Sequence, residues 1–328
     1  MDYPYAVSVT RLGGPEVMEA CRIPMPEAQP GEVLVANTAI GVNFVDIYLR
    51  SGQPHSHNPS PPFVPGVNAV GQVLATGSQV QGLSVGDRVA YVNAGVGTYC
   101  THAAVSAERV VRVPDGLSDD RVAAGLLRVL TAQYLLKQIR PLKAGERILV
   151  HAAAGGVGQV LVQWAKRLGL QVIATVGTEA KLALVRELGA DCVINYSTQD
   201  FPREVERWTH GAGVSVVFDS VGRDTFMGSL ACLAARGLVV NFGTASGQVE
   251  GFALQALHAK SLSVCRPTLR TYIASRGDLL AMCAEAFELL SDPLLQIEIA
   301  ARLPLHAAPE AHRMLESRQT RGSIVLLP

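Results

Sequence analysis

The chain has 328 residues, about two domains at the size one hydrophobic core usually serves. Apolar residues make up 48% and charged residues 17%, and 28 Lys and Arg balance 28 Asp and Glu. That composition excludes a disordered chain and a strongly basic nucleic-acid or membrane surface, so any anionic ligand must be gripped locally.

To about residue 124 the chain is punctuated by Gly and Pro, with short β-prone runs at 32–36, 71–75 and 88–92. This predicts an irregular all-β module. One or two turns of helix are expected over 43–51, where Phe44, Ile47 and Tyr48 fall at three- and four-residue spacing. From about residue 119 longer amphipathic segments alternate with compact apolar runs. The pattern predicts helices over 119–139, 158–168, 179–188, 201–208 and 225–232, and strands over 147–151, 171–175, 192–194, 214–219 and 237–242. Strands separated by helices imply parallel βαβ units and a doubly wound sheet. The last segment predicts a strand at 262–265, helices over 278–290 and 309–317, and a closing strand at 324–327 that suits a return to the first module.

Six cysteines, Cys21, Cys100, Cys192, Cys232, Cys265 and Cys283, form no CxxC or CxxH pair and read as reduced thiols. Residues 1–9 carry no basic region followed by an apolar run, so no secretory signal is expected. The longest stretches without charge are broken by proline or glycine, so no membrane span is expected. A cytoplasmic protein is the expectation.

The strongest local signal is Ala153-x-Gly155-x-x-Gly158 between a predicted strand and a predicted helix. Small residues there let the backbone approach a pyrophosphate, and Gly156, Val157 and Gly158 open a helix whose unpaired N–H groups and dipole face that anion. The alternative is a glycine-rich turn that only packs a helix on a sheet. An NAD site would end its second strand on an acid that accepts from the ribose 2′-OH. Here that strand runs into Gly177 and Thr178, with no acid before Glu179. Lys181 and Tyr196 follow and can offer a charge and a hydrogen bond, which favours NADPH, although Lys181 equally suits a solvated helix face.

These motifs, together with GGPEV at 13–17, AIGVNFVDIYLRSG at 39–52, HAAAGGVG at 151–158, FDSVGRD at 218–224, Arg266-Pro267 and LESR at 315–318, span most of the chain. The whole resembles the medium-chain dehydrogenase/reductase superfamily, and more closely its zinc-free quinone oxidoreductase (zeta-crystallin-like) branch. The resemblance implies an α/β protein: a GroES-like β-rich catalytic domain at 1–124 and 266–328, and a Rossmann doubly wound parallel-sheet domain at 125–265. It also implies a homodimer, with the β-prone edge at 262–266 pairing across a two-fold axis; an edge covered within one chain is the alternative. Zinc enzymes of the superfamily carry a Cys and a His-Glu pair where this chain has Asn43 and Gly66-Val67-Asn68, so no metal is expected. Asn68 departs from the branch, which often has an acid there.

By resemblance Asn43 and Tyr48 face the nicotinamide side and are the candidate catalytic residues, with Tyr48 also fitting a half-buried core tyrosine. Thr131, Ser220, Asn241, Phe242, Gly243, Arg266 and Arg318 are the further expected cofactor contacts. Asp46 is assigned no chemistry, since on a short helix a cap or a structural pair suits it as well. His55 and His57 invite a metal reading but have no third ligand nearby in sequence. The resulting expectation is an NADPH-dependent quinone reductase that uses no metal. An NADPH-dependent reductase of α,β-unsaturated carbonyls is second, and a non-catalytic nucleotide- or RNA-binding protein third.

Overall fold

The computed structural model describes residues 3–53, 59–317 and 319–328. His55, His57 and Arg318 therefore lie outside the described residues. The chain divides into two compact units: Met1–Leu127 with Ile273–Pro293 and Ile297–Pro328, and Arg128–Tyr272 with Leu294–Gln296. Residues 266–272 thus fall in the second unit.

In the first unit β1 (Tyr5–Val9) and β2 (Met18–Arg22) form an antiparallel ribbon, with Tyr5 opposite Arg22. The long strand β3 (Glu32–Val42) leads into α1 (Phe44–Ser51). Next come β4 (Asn68–Thr76), β5 (Arg88–Val92), β6 (His102–Ser106), β7 (Val110–Arg112) and α2 (Asp119–Lys137), which carries the chain across the division between units. Alternating residues such as Val33, Val35, Val73, Val89 and Val105 point into one buried core.

The second unit alternates strand and helix: β8 (Arg147–Val150), α3 (Gly156–Arg167), β9 (Gln171–Val176), α4 (Leu182–Glu187), β10 (Cys192–Asn195) and α5 (Phe201–Trp208). Then follow β11 (Val214–Asp219), α6 (Phe226–Cys232), β12 (Leu233–Asn241), β13 (Ser263–Cys265) and α7 (Leu269–Tyr272). Its six strands are all parallel and lie in the order β10-β9-β8-β11-β12-β13. Strand order reverses between β8 and β11, so a crevice opens at the carboxyl ends of those strands, where open α/β sheets bind ligands.

The chain then returns to the first unit with α8 (Arg276–Ser291), β14 (Ile299–Pro304), α9 (Ala308–Glu316) and β15 (Ser323–Leu327). β15 pairs antiparallel with β3, Ile324 opposite Val42, and parallel with β14. The terminal strand thus completes the seven-stranded sheet of the first module, as its position in the sequence suggested.

Several boundaries differ from the sequence pattern. α3 opens at Gly156 rather than 158, because packing on the strand turn, not propensity, sets its start. The segment Glu179–Lys181 is a tight 3₁₀ turn ahead of the shorter α4. β12 starts at Leu233, four residues ahead of the expected 237, and passes Arg236 in the left-handed region (φ 61°). β14 went unpredicted because its Ala-rich run alternates only weakly.

Candidate active site

In the second unit the chain leaves β8 at His151 and turns into α3. The sheet holds the turn from both sides: His151 N–H donates to Phe218 O (3.0 Å) and Ala153 N–H to Thr175 O (3.0 Å). Ala152 sits in the left-handed region (φ 50°), and Gly155 caps the helix with its N–H on Ala152 O (2.9 Å). A Cβ on Gly158 would lie 2.4 Å from Ala152 O and 2.7 Å from Ala153 Cα, so only glycine lets the first helical turn rest on the strand turn. Gly156, Val157 and Gly158 thus open the helix with their backbone N–H groups at its start, while the Gly155 N–H closes the turn, an arrangement that fits a diphosphate.

At the end of β9, Tyr196 Oη would lie 2.8 Å from a Cβ on Gly177, so the phenol covers that glycine. Ser197 Oγ donates to Gly177 O (2.9 Å). Lys181 closes the 3₁₀ turn just beyond, half-buried. The nearest acid, Glu179, accepts from Asn195 Nδ2 (3.4 Å). This strand end thus carries a phenol, with Glu179 and Lys181 on the turn that follows.

The ends of β11 and β12 are tied by Asp219, fully buried, which accepts from Val221 N–H (2.8 Å), Gly222 N–H (3.0 Å) and Thr225 Oγ1 (2.9 Å). Phe242 N–H donates to Asp219 O (2.8 Å). Asn241 Nδ2 bridges Asp219 O (3.3 Å) and Gly243 O (3.0 Å), while the Arg266 guanidinium donates to Asn241 O (3.2 Å) and Oδ1. A Cβ on Gly243 would stand 2.7 Å from Ser220 O, so the two loops meet backbone to backbone. Thr131 is buried on α2. The structure therefore gathers the glycine turn, the Gly177–Tyr196 pair and the cluster of Ser220, Asn241, Phe242, Gly243 and Arg266 along the carboxyl ends of one sheet.

Asn43 and Tyr48 belong to the first unit. Asn43 is the N-cap of α1, and its Nδ2 donates to Gly41 O (3.0 Å) and Asn68 Oδ1 (2.6 Å). Asn68 Nδ2 in turn donates to Ala123 O (2.9 Å). Two amides thus answer each other in this cluster. Tyr48 is half-buried on α1, its ring 6.2 Å from that of Phe44. Among the described residues no three His, Cys, Asp or Glu side chains gather as a metal site.

Beneath α1 lies a buried chain of polar side chains. Asp46 Oδ2 accepts from Asn43 N–H (2.9 Å) and from Tyr99 Oη (3.1 Å), and among the described residues Oδ1 has no hydrogen-bond partner. Tyr99 Oη lies 3.1 Å from His312 Nε2, whose Nδ1 lies 3.4 Å from Arg50 Nη1. Arg50 pairs with Glu316 (2.5 Å). Arg50 can only donate and an ionised Asp46 can only accept, so the order of protons follows: Arg50 to His312 Nδ1, His312 Nε2–H to Tyr99, Tyr99 to Asp46. Burial pushes the Asp46 carboxyl up to about 7, and burial followed by the Arg50 charge pushes His312 down to about 3, in keeping with a neutral ring. Asp46 caps its own helix through Asn43, which settles the structural alternative the sequence left open.

Sequence reasoning missed the Asp219 tie and the Tyr99–His312 link. Asp219-Ser-Val-Gly222 with Thr225 carries the spacing of an Asx turn and was within reach; Tyr99 and His312 lie 213 residues apart and have no local signature.

A classic strand order with a glycine turn at the switch point defines a dinucleotide-dependent oxidoreductase class. Two family models agree: the alcohol dehydrogenase GroES-like domain over residues 29–115 and the zinc-binding dehydrogenase over 156–286. A quinone oxidoreductase of Pseudomonas aeruginosa is 46% identical over 323 residues, covering 98% of this chain and 99% of that one. A 2-haloacrylate reductase of Burkholderia is 42% identical, covering 98% of each. The crystal structure of Escherichia coli quinone oxidoreductase complexed with NADPH superposes with a TM-score of 0.95 at 41% identity, covering 99% of this chain and all of that one. The chain belongs to the quinone oxidoreductase branch of the medium-chain dehydrogenase/reductase family, and it is an oxidoreductase.

Proposed function

We propose that this enzyme is an NADPH-dependent quinone oxidoreductase that works without a metal ion. The observation that carries the reading is the turn at Gly155–Gly158, whose packing admits no side chain at Gly158 and leaves a backbone cradle for a diphosphate. Full-length likeness to quinone oxidoreductases narrows the acceptor to a quinone.

Bound NADPH supplies a hydride to an electron-poor acceptor. The chain's own residues bind and orient. The N–H groups of Gly156, Val157 and Gly158, set by the turn at Gly155, would hold the diphosphate, and Lys181 and Tyr196, beside Gly177, would take the 2′-phosphate. Ser220, Asn241, Phe242, Gly243, Arg266 and Thr131 enclose the nicotinamide half, joined by Arg318 on resemblance alone. Asn43 and Tyr48, from the domain at 1–124 and 266–328, present an amide and a phenol to the reacting ring and its acceptor. Asn43 and Asn68 are amides bonded to each other rather than the thiolate or imidazole a zinc ion prefers, so the acceptor itself must be electrophilic. The exposed Val264 on the edge strand β13 supports a homodimer paired along that edge, and six free cysteines suit the cytoplasm.

The 2-haloacrylate reductase relative favours a second reading, reduction of an activated alkene with Tyr48 protonating the second carbon. A panel of a benzoquinone, an enone and 2-chloroacrylate, each with NADPH and NADH and with and without EDTA, decides between them. The expected result is quinone-dependent NADPH oxidation unchanged by the chelator. Tight NADPH binding without turnover across the panel would overturn the enzyme reading.

A further inference from the structure

Behind the glycine turn lies a second buried row of polar side chains, which the site as described so far does not use. His151 follows β8 and begins the turn; it, Thr175 on β9, Ser229 on α6 and Asp219 at the end of β11 are all fully buried. His151 Nδ1 lies 2.8 Å from Thr175 Oγ1, and Nε2 lies 3.0 Å from Ser229 Oγ. Ser229 Oγ lies in turn 3.2 Å from Asp219 Oδ2 and 2.9 Å from Thr225 O. The imidazole meets Phe201 edge-on, with ring centroids 5.0 Å apart.

The order of protons follows from the Ser229 hydroxyl. An ionised Asp219 and the Thr225 carbonyl only accept, so the single Ser229 proton goes to one of them and its oxygen accepts from His151 Nε2–H. Nδ1 then accepts from Thr175 Oγ1–H. Burial holds the ring below the ordinary histidine range, against the opposing pull of the Asp219 charge, in keeping with a neutral imidazole. On the same two strands Ile148, Leu149, Val150, Val172 and Ile173 are buried and apolar, and a polar ring among them carries a desolvation cost that an apolar one would not. What it adds is geometry, because a fully satisfied buried network holds one arrangement. Both ends of the row reach the cofactor site. Thr175 O accepts Ala153 N–H (3.0 Å) two residues before Gly177, and Asp219 sets the 220–222 loop by accepting from Val221 N–H and Gly222 N–H.

We infer that His151 is a positioning residue that fixes the spacing between the end of β9, which takes the adenosine half of the dinucleotide, and the end of β11, which takes its nicotinamide half. This rests on the NADPH reading above. A ligand that spans both ends gains from having them held at one spacing, since its second half then binds at a high effective concentration; a ligand that occupies one end does not.

The test compares NADPH with adenosine 2′,5′-bisphosphate, which carries the 2′-phosphate and lacks the nicotinamide half. Both are titrated calorimetrically into wild type, His151→Phe, His151→Gln and Ser229→Ala, with thermal unfolding of each nucleotide-free protein. His151→Phe keeps a ring against Phe201 and loses both hydrogen bonds. It is expected to weaken NADPH about tenfold and to leave the bisphosphate unchanged. His151→Gln, which keeps one donor and one acceptor, is expected to recover most of the loss, and Ser229→Ala, which cuts only the arm toward β11, to show the same selectivity. Equal losses for the two ligands would confine the effect to the end of β9 and overturn the proposal. Unchanged binding of both with a lower melting point would reduce His151 to a core residue. Should His151→Phe not fold, Ser229→Ala binding both ligands like wild type would overturn the proposal just as well. Wild type that binds neither ligand would instead remove the NADPH reading itself.

Discussion

At the carboxyl ends of β8, β9 and β12 the polar surface is made mainly by backbone: N–H groups of a glycine turn, carbonyls of Ser220 and Asp219, and glycines packed against them. Beneath α1 it is made by side chains that meet from far apart in sequence, Tyr99 and His312 being separated by 213 residues and Arg50 and Glu316 by 266. The first kind of site is broken by adding atoms and is indifferent to pH. The second is broken by removing atoms and is tuned by protons.

The largest expected effect is on the backbone side. Gly158→Val places methyl groups against Ala152 O and Ala153 Cα, neither of which can yield, and is expected to cost about 3 kcal/mol in urea unfolding and to abolish NADPH binding. Near wild-type stability with retained binding would show that the turn has slack.

The proton-dependent side is sharpened by Asp46→Asn, which keeps an acceptor for Asn43 and Tyr99. The Asp46 carboxyl is raised from 3.8 to about 7, so its contribution to stability is full below about pH 4 and is lost as pH rises through 7. His312 is lowered from 6.5 to about 3, so its contribution is full above pH 6.5 and is lost as pH falls toward 3. Wild type combines the two opposing slopes. Relative to Asp46→Asn, wild type is expected to lose on the order of 3 kcal/mol between pH 4 and 7, and the variant alone to weaken steeply on acidification. Parallel unfolding curves from pH 4 to 7 would sink this account.

Tyr99→Phe removes the central link, strands the His312 Nε2–H and leaves Asp46 Oδ2 with Asn43 N–H as its donor. A cost of about 2 kcal/mol is expected, with Asp46→Asn far less harmful in that background than alone. The smallest effect belongs to Lys181→Ala: about a tenfold loss of NADPH affinity, ~1.4 kcal/mol, with NADH unaffected. Equal losses for the two nucleotides would place Lys181 away from the 2′-phosphate.

The same contrast explains what could be read before the structure was in hand. The parallel sheet and the Gly155–Gly158 turn are encoded locally, by strand-turn-helix spacing, and even the departure at Ala153 left them visible. The start of α3 shifted because Gly156 and Gly158 have poor helix propensity and are helical only through packing. Asp46 showed its capping role only as one option, because the burial that raises its pKa is supplied by Tyr99 and His312. Asn43 and Tyr48 were named by family likeness, and their neighbour Asn68 gained its partner only when β3 and β4 paired.

The proton-ordered row from Glu316 through Arg50, His312 and Tyr99 ends on Asp46, which also accepts from the backbone of Asn43. Its carboxylate anchor belongs to α9, so a residue 266 positions further along the chain than Arg50 has a say in how α1 is seated. Substitutions that loosen α9 would then be felt at Asn43, which sits at the start of α1.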